Sequence, residues 1–276
     1  MSNTQNKVIL VTGASSGIGH ATALTLIAAG HTVYGAARRV ERMADLEAAG
    51  GHAVAMDITE TAQVSDCIAR ILSEQGRIDV LVNNAGYAVY GSVEDVPIHA
   101  ARRQFEVNLF GLAELTQGIL PHMRGQGSGH IINITSVGGK IYSPLGAWYH
   151  ATKHALEGWS DCLRIETAQF GINVSIIEPG AIDSGFGDVM TGPMLEMSGD
   201  GPYGPMARSV SEGQKKFYNG SADSRPQVIA DVIEKAIAAK RPKTRYAAGK
   251  MARTTLAMRR WLSDRMFDRA VAQMMK

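Results

Sequence analysis

Short apolar runs of strand length alternate along the chain with segments of helical periodicity. The runs are Val8–Val11, Thr32–Ala36, Ala53–Met56, Val80–Asn83, Ile131–Thr135 and Asn173–Ile177. Most are dense in Val and Ile at successive positions, so both faces of each strand are apolar, the pattern of parallel strands covered by helices on both sides. Between them, segments such as Thr61–Gln75 put Val64, Ile68, Ile71 and Leu72 on one helical face. Strands alternating with helices predict an α/β fold, a single-domain doubly wound parallel sheet. Ligands of such sheets bind beyond the carboxyl ends of the strands, which directs attention to the residue following each run.

The alternation stops after Gly180. Residues 183–226 are rich in Gly, Pro and Met, including "TGPMLEMSGDGPYGPM". A structureless insertion of that length predicts a flexible substrate lid. A helix resumes after Pro226 in "QVIADVIEKAIAAK", "TRYAAG" is a candidate final strand, and residues 249–276 read as a basic helical tail.

Composition narrows the function classes. A chain of 276 residues with 45% hydrophobic content can bury one large core, and a net charge of +2 gives no global reason to expect nucleic acid. The two cysteines, Cys67 and Cys162, stand apart from any Cys or His at metal spacing, so no metal centre is expected. The amino terminus lacks a basic-then-apolar leader pattern, and no run approaches the roughly 18 apolar residues of a membrane span. A cytoplasmic protein is the expectation.

Chemistry concentrates at the strand ends. The first strand runs into "VTGASSGIGHA", with Gly13, Gly17 and Gly19 around Ser15, Ser16 and Ile18. Glycines there permit a tight turn and close approach of backbone to a phosphate, and the helix that follows aims free N–H groups at the anion. The run at Val80–Asn83 continues into Asn84, Ala85 and Gly86; Ile131–Thr135 is followed by Ser136 and a glycine pair, read as flexible. Thirteen residues after Ser136 comes "YHATK", where Tyr149 and Lys153, four apart, share one helical face. Asn108 lies in the apolar helical pattern "FEVNLFGLAELT". Asparagine is unfavourable there, which marks either an exposed polar position or a backbone kink with a role.

Taken in order, "TGASSGIG", "NNAG", Asn108, Ser136 and "YHATK" resemble the short-chain dehydrogenase/reductase family over about residues 7–180. The resemblance implies a Rossmann fold and a nicotinamide-dependent oxidoreductase with the tetrad Asn108, Ser136, Tyr149 and Lys153. It implies further cofactor contacts from Asp57 and Ile58, from Asn84, Ala85 and Gly86, and from the loop Pro179, Gly180, Ile182 and Ser184, the last standing where the family commonly has threonine. It also implies a homodimer or homotetramer. The chemistry is sound in itself. A tyrosine with its ordinary pKa near 10 is a poor acid–base group at neutral pH, and two nearby cations can lower it by about three units, or about 4 kcal/mol.

The stretch "YGAARRVER" bears on the cofactor. Where a carboxylate would take the adenosine ribose hydroxyls, this chain has Ala37, followed by Arg38 and Arg39. A guanidinium fork suits a phosphate dianion, so NADP(H) is expected over NAD(H), although Ser16 brings no charge beside the second glycine. The candidate substrate pocket comprises Tyr87, Gly138, Ile141, Tyr142, Leu145, Trp148, Phe186 and Met190, with Met194 and Met197 nearby. That inventory predicts a ketone, aldehyde or secondary alcohol with a hydrophobic body. The tail carries seven basic and two acidic residues, and Met258, Trp261, Leu262, Phe267 and Val271 supply an apolar side. Such a helix can lie on an anionic membrane, pack across a subunit interface or border the substrate entrance. Alternatives to the main reading are an NAD-dependent alcohol dehydrogenase, an enoyl reductase and a non-catalytic nucleotide sensor.

Overall fold

The computed structural model describes residues 6–183, 185–218 and 224–274. Seven strands form one parallel sheet in the order β3-β2-β1-β4-β5-β6-β7. In chain order they are β1 (Val8–Thr12), β2 (Thr32–Ala37), β3 (His52–Ala55), β4 (Val80–Asn83), β5 (Gly129–Ile134), β6 (Ile172–Pro179) and β7 (Arg245–Ala248). All five residues of β1 are buried, as expected for the apolar run Val8–Val11 that opens it. The "TRYAAG" stretch supplies β7, which extends the sheet beside β6.

Helices cover both faces. Those preceding β5 are α1 (Gly17–Ala28), α2 (Ala44–Ala48), α3 (Thr61–Gln75), α4 (Ile98–Phe105) and α5 (Gly111–Gln126). They are followed by α6 (Ala147–Thr167), α7 (Phe186–Ser198), α8 (Gly204–Tyr218), α9 (Pro226–Ala238), α10 (Ala252–Trp261) and α11 (Asp264–Met274). On one face Ile68 of α3, Leu115 of α5 and Leu156 of α6 pack against Leu10 and Leu81. On the other, Leu26 of α1 and Ile233 of α9 pack against Ile9 and Val82. The chain leaves β1 toward β2 on one side and returns to β4 on the other, so β1 and β4 flank the switch point where a crevice opens.

Two expectations change. The described part of residues 183–226 is helical rather than structureless. Met190, Met194 and Ser198 recur every four positions on α7 and are buried, and Ala207 and Ser211 do the same on α8. The stripe is built of Met, Ser and Ala among many glycines and prolines, so it carries little of the aliphatic periodicity that marks a helix. The glycine pair after Ser136 is not flexible either. Gly138 and Gly139 are buried in a single 3₁₀ turn, where a Cβ on Gly138 would meet Tyr149 Cε1 at 3.1 Å and one on Gly139 would meet the Lys153 carbonyl oxygen at 3.0 Å. The absent side chains let this turn lie directly on α6.

The tail forms two helices, α10 and α11, folded back against the body of the protein. Phe267 is 3% exposed and meets the Tyr142 ring edge-on at 5.1 Å, the Tyr142 hydroxyl donates to Asp268 Oδ1 at 2.9 Å, and Arg259 lies over both rings. Trp261, grouped from sequence with the apolar side, is instead 80% exposed. Among the described residues no helix is long and apolar enough to cross a membrane.

Candidate active site

The turn after β1 is shaped by its glycines. Gly13 and Gly17 adopt φ of +68° and +57°, conformations that favour glycine, and the Gly13 N–H donates to the Ala36 carbonyl at 2.8 Å. A Cβ on Gly19 would overlap the Gly13 carbonyl oxygen and Asn84 Nδ2, so α1 approaches the neighbouring loop only because position 19 is bare. Ser16 precedes α1 without a side-chain cap bond, and the first turn holds no acidic residue. Free N–H groups and the positive end of the helix therefore face the crevice, as a diphosphate requires.

The loop after β4 is fixed against this turn. The Thr12 hydroxyl accepts from the backbone N–H groups of Asn84 and Ala85, both at 3.0 Å, and Asn84 Nδ2 donates to the Thr12 carbonyl at 2.9 Å. Asn108 secures the same loop from the other side. It lies in a π-helical segment, Glu106–Phe110, between α4 and α5, so the disturbed backbone expected from its sequence context is present. Its side chain accepts from the Tyr87 N–H at 3.0 Å and donates to the Tyr87 carbonyl at 2.9 Å and to the Thr152 hydroxyl at 3.3 Å. Thr152 is on α6, so Asn108 ties that helix to the β4 loop.

Helix α6 presents Tyr149 and Lys153 one turn apart. Lys153 Nζ donates to the Ile134 carbonyl at the end of β5, 2.9 Å away. Burial pushes its pKa down to about 8, against the opposing field of Glu157. Folded Lys153 releases its proton near 8 and unfolded Lys153 near 10.5, so raising the pH through that window favours the folded state. Wild type should accordingly gain about 1 kcal/mol per pH unit relative to Lys153→Met between pH 8 and 10 in urea unfolding, whereas a flat difference would place the ammonium in water. Ser136 caps the 3₁₀ turn by accepting from the Gly138 N–H at 3.0 Å.

A single cleft of about 1100 Å³ is lined by the glycine turn, Arg38 and Arg39, Ser136, Tyr149 and Lys153. Of the other expected cofactor contacts, Ser15, Ser16, Ile18, Asp57, Ile58, Asn84, Ala85, Gly86, Pro179, Gly180 and Ile182 line it too. Gly19 and Asn108 stand behind the wall as supports, and Ser184 lies outside the described residues. At one end, partial burial opposes ionisation of Asp57, but the Thr59 amide and hydroxyl together with Arg103 and Arg38 hold its carboxyl below the usual range. Arg103 reaches this end from α4, bonding the Thr59 hydroxyl at 2.8 Å and Asp57 Oδ2 at 3.4 Å. The lining thus carries three guanidinium groups, of Arg38, Arg39 and Arg103, the last of which belongs to no motif in the sequence.

Tyr87 lines the cleft within the field of Arg103 and Arg38, and Gly138, Ile141 and Tyr142 line it as well, as expected from sequence. Leu145, Trp148 and Met190 do not. Leu145 and Met190 are buried behind the surface in a cluster with Tyr90 and Met194, and Trp148 leaves α6 in a direction different from that of Tyr149. Leu145 holds a φ of +63°, which turns its side chain inward while its carbonyl accepts from Gly91 at 2.8 Å. The Phe186 side chain lies outside the described residues. The space is completed instead by Thr255 and Met258 of α10 and by Phe267, Ala270 and Val271 of α11. Beside Tyr149, His150 accepts from the Ser143 N–H at 3.1 Å and its Nδ1 bonds the Gly138 carbonyl at 2.9 Å. Burial lowers its pKa, which keeps the ring neutral and able to accept.

An anion-facing helix end at the switch point of a parallel sheet, with a Tyr–Lys pair opening into the same cleft, defines a nucleotide-dependent oxidoreductase. The sequence profile described as short chain dehydrogenase matches residues 7–191. The 3-ketodihydrosphingosine reductase of Bacteroides thetaiotaomicron is 34% identical over 269 residues, 97% of each chain. A short-chain dehydrogenase structure from Streptomyces avermitilis, 36% identical, matches with a TM-score of 0.81 over 98% of this chain and 95% of that one. A metagenomic short-chain oxidoreductase in complex with NADP, 28% identical, matches with a TM-score of 0.68 over 87% and 95%. The chain belongs to the short-chain dehydrogenase/reductase family, whose members use nicotinamide cofactors.

Proposed function

We propose that this protein is an NADP(H)-dependent oxidoreductase that interconverts a hydrophobic ketone or aldehyde and the corresponding alcohol. The observation that carries the reading is one cleft shared by the open helix end, the arginines beyond β2 and the Tyr149–Lys153 pair. Reduced nicotinamide, when bound, supplies the hydride that adds to the carbonyl carbon. Tyr149 donates its phenolic proton to the carbonyl oxygen, so the C=O π bond becomes a C–H and an O–H bond. The Lys153 ammonium, held by the Ile134 carbonyl, stabilises the resulting phenolate until a proton returns from solvent. The Ser136 hydroxyl, fixed by its bond from Gly138, orients the substrate oxygen. Asn108 positions α6 and the β4 loop rather than touching substrate.

NADP(H) is favoured because no carboxylate follows β2 and three guanidinium groups ring the adenosine end, with Asp57 already engaged. The NADP-bound relative supports this cofactor. The relative named for reducing a keto group of dihydrosphingosine supports a ketone substrate, and the apolar wall from α10 and α11 supports a hydrophobic one. A homo-oligomer would cover the exposed Phe110, just before α5, and Ile165, in the last turn of α6. A panel of aliphatic and aryl ketones against small charged carbonyls tests the substrate class. Turnover should be confined to the apolar members, and activity confined to the charged ones would overturn it.

A further inference from the structure

One polar group of the cleft has no part in the chemistry described above. Gln214, on α8, lines the cleft, and its side-chain oxygen is buried and accepts no hydrogen bond from any described residue. Its amide nitrogen faces Met190 Sδ at 3.6 Å. A thioether sulfur carries no proton, so the nitrogen is the end that belongs against it and the oxygen is the end left over.

No described side chain donates to that oxygen. Val210, one helical turn before Gln214, packs against the apolar cluster that contains Tyr149, Leu145, Met190 and Met194. An acceptor set in such a wall is unfavourable until a donor reaches it. The wall carries Tyr149 and faces the cleft the substrate enters, so the substrate is the source of the donor. The only carboxylate among the described lining residues is Asp57, at the adenosine end. No carboxylate of the described lining is therefore placed here to pair with a substrate cation, and a donor reaching this oxygen is held by a neutral hydrogen bond.

We propose that Gln214 is a specificity-determining residue whose carbonyl accepts a hydrogen bond from a hydroxyl or ammonium group on the apolar body of the substrate. The preferred substrate is then a hydroxy- or amino-substituted ketone rather than a plain one. This rests on the ketone reading above and adds a second polar contact to it. Because no described residue donates to the amide oxygen, an analogue lacking the donor leaves it unpaired in the complex, an arrangement that discriminates strongly between close analogues.

The test uses the full-length protein with NADPH, and in parallel with NADH, and ketones of one chain length: unsubstituted, with a hydroxyl moved along the chain, and with an amine moved likewise. In wild type at least one donor-bearing ketone should exceed the unsubstituted one in kcat/KM by about tenfold or more. Gln214→Met, which keeps the length of the side chain and removes the acceptor, should bring that ratio close to one. Gln214→Glu, which keeps an acceptor, should retain the preference and increase it for the amine. A wild-type ratio near one across both series overturns the assignment whatever the variants do. So does a preference that survives in Gln214→Met, or one lost equally in both variants. Reduction of the unsubstituted ketone in those cases leaves the ketone reading standing; no reduction of any member with either coenzyme removes that reading and this one together.

Discussion

Replacing Tyr149 with Phe should lower kcat/KM for ketone reduction by about 10²–10⁴-fold, the range expected when a positioned acid is removed. NADPH affinity, read by titration of the free enzyme, should change little. The variant removes one oxygen and keeps the ring. The ring is what packs, with Tyr90 at 5.7 Å and His150 at 5.8 Å between centroids, and the residue is only 9% exposed. The ring carbon Cε1 is the Tyr149 atom nearest to where a Cβ on Gly138 would stand, so the phenyl ring keeps the surface on which the 3₁₀ turn bearing Ser136 rests. A fall in turnover with unchanged melting temperature would separate chemistry from packing. Retained turnover within a few fold would mean that the proton reaches the substrate from another group, and the proposed role would have to be abandoned.

The second large effect concerns the cofactor. Arg38 is exposed beside the cleft directly after β2, next to Ala37, the position at which a carboxylate would repel a phosphate. A charge-assisted hydrogen bond to a phosphate contributes about 1.5–3 kcal/mol, so Arg38→Ala should reduce kcat/KM with NADPH by about 10- to 100-fold and lower the NADPH-to-NADH ratio. Ala37→Asp should go further and invert the ratio, because it adds both a ribose ligand and a repulsive charge. Arg103 sharpens this expectation. It is bonded to Asp57 and Thr59 on the far side of the same space, which offsets the one native carboxylate there. The effect of Arg38→Ala should shrink at high salt, since the guanidinium is exposed. An unaltered coenzyme ratio in both variants would remove the arginine argument.

Most of the sheet was legible because its strands are short, apolar on both faces and separated by helical periodicity. The nucleotide turn, Ser136 and the Tyr149–Lys153 pair were legible because close backbone approach and one-turn spacing leave local marks in the sequence. Asn108 was legible as a disturbance, and the π-helical segment gives that disturbance its form. Arg103 was not, since it reaches Asp57 from a helix far along the chain and belongs to no local pattern. Met258, Phe267 and Val271 were legible as an apolar side able to border the substrate entrance, one of three placements open to the tail, whereas Thr255 and Ala270 join the cleft only because α10 and α11 fold back over it. Helices α7 and α8 escaped notice because their buried faces are made of Met, Ala and Ser. Leu145 and Met190 were apolar residues near the site in sequence, and periodicity alone does not tell a wall residue from one packed just behind it.

The most direct measurement follows the hydride. Wild-type protein, given an aliphatic ketone and either NADPH or NADH deuterated at the transferring position, should place deuterium on the carbinol carbon of the product, with NADPH giving the higher kcat/KM. Absence of label in the alcohol with both coenzymes would contradict hydride transfer at this site, and a higher kcat/KM with NADH would contradict the cofactor assignment.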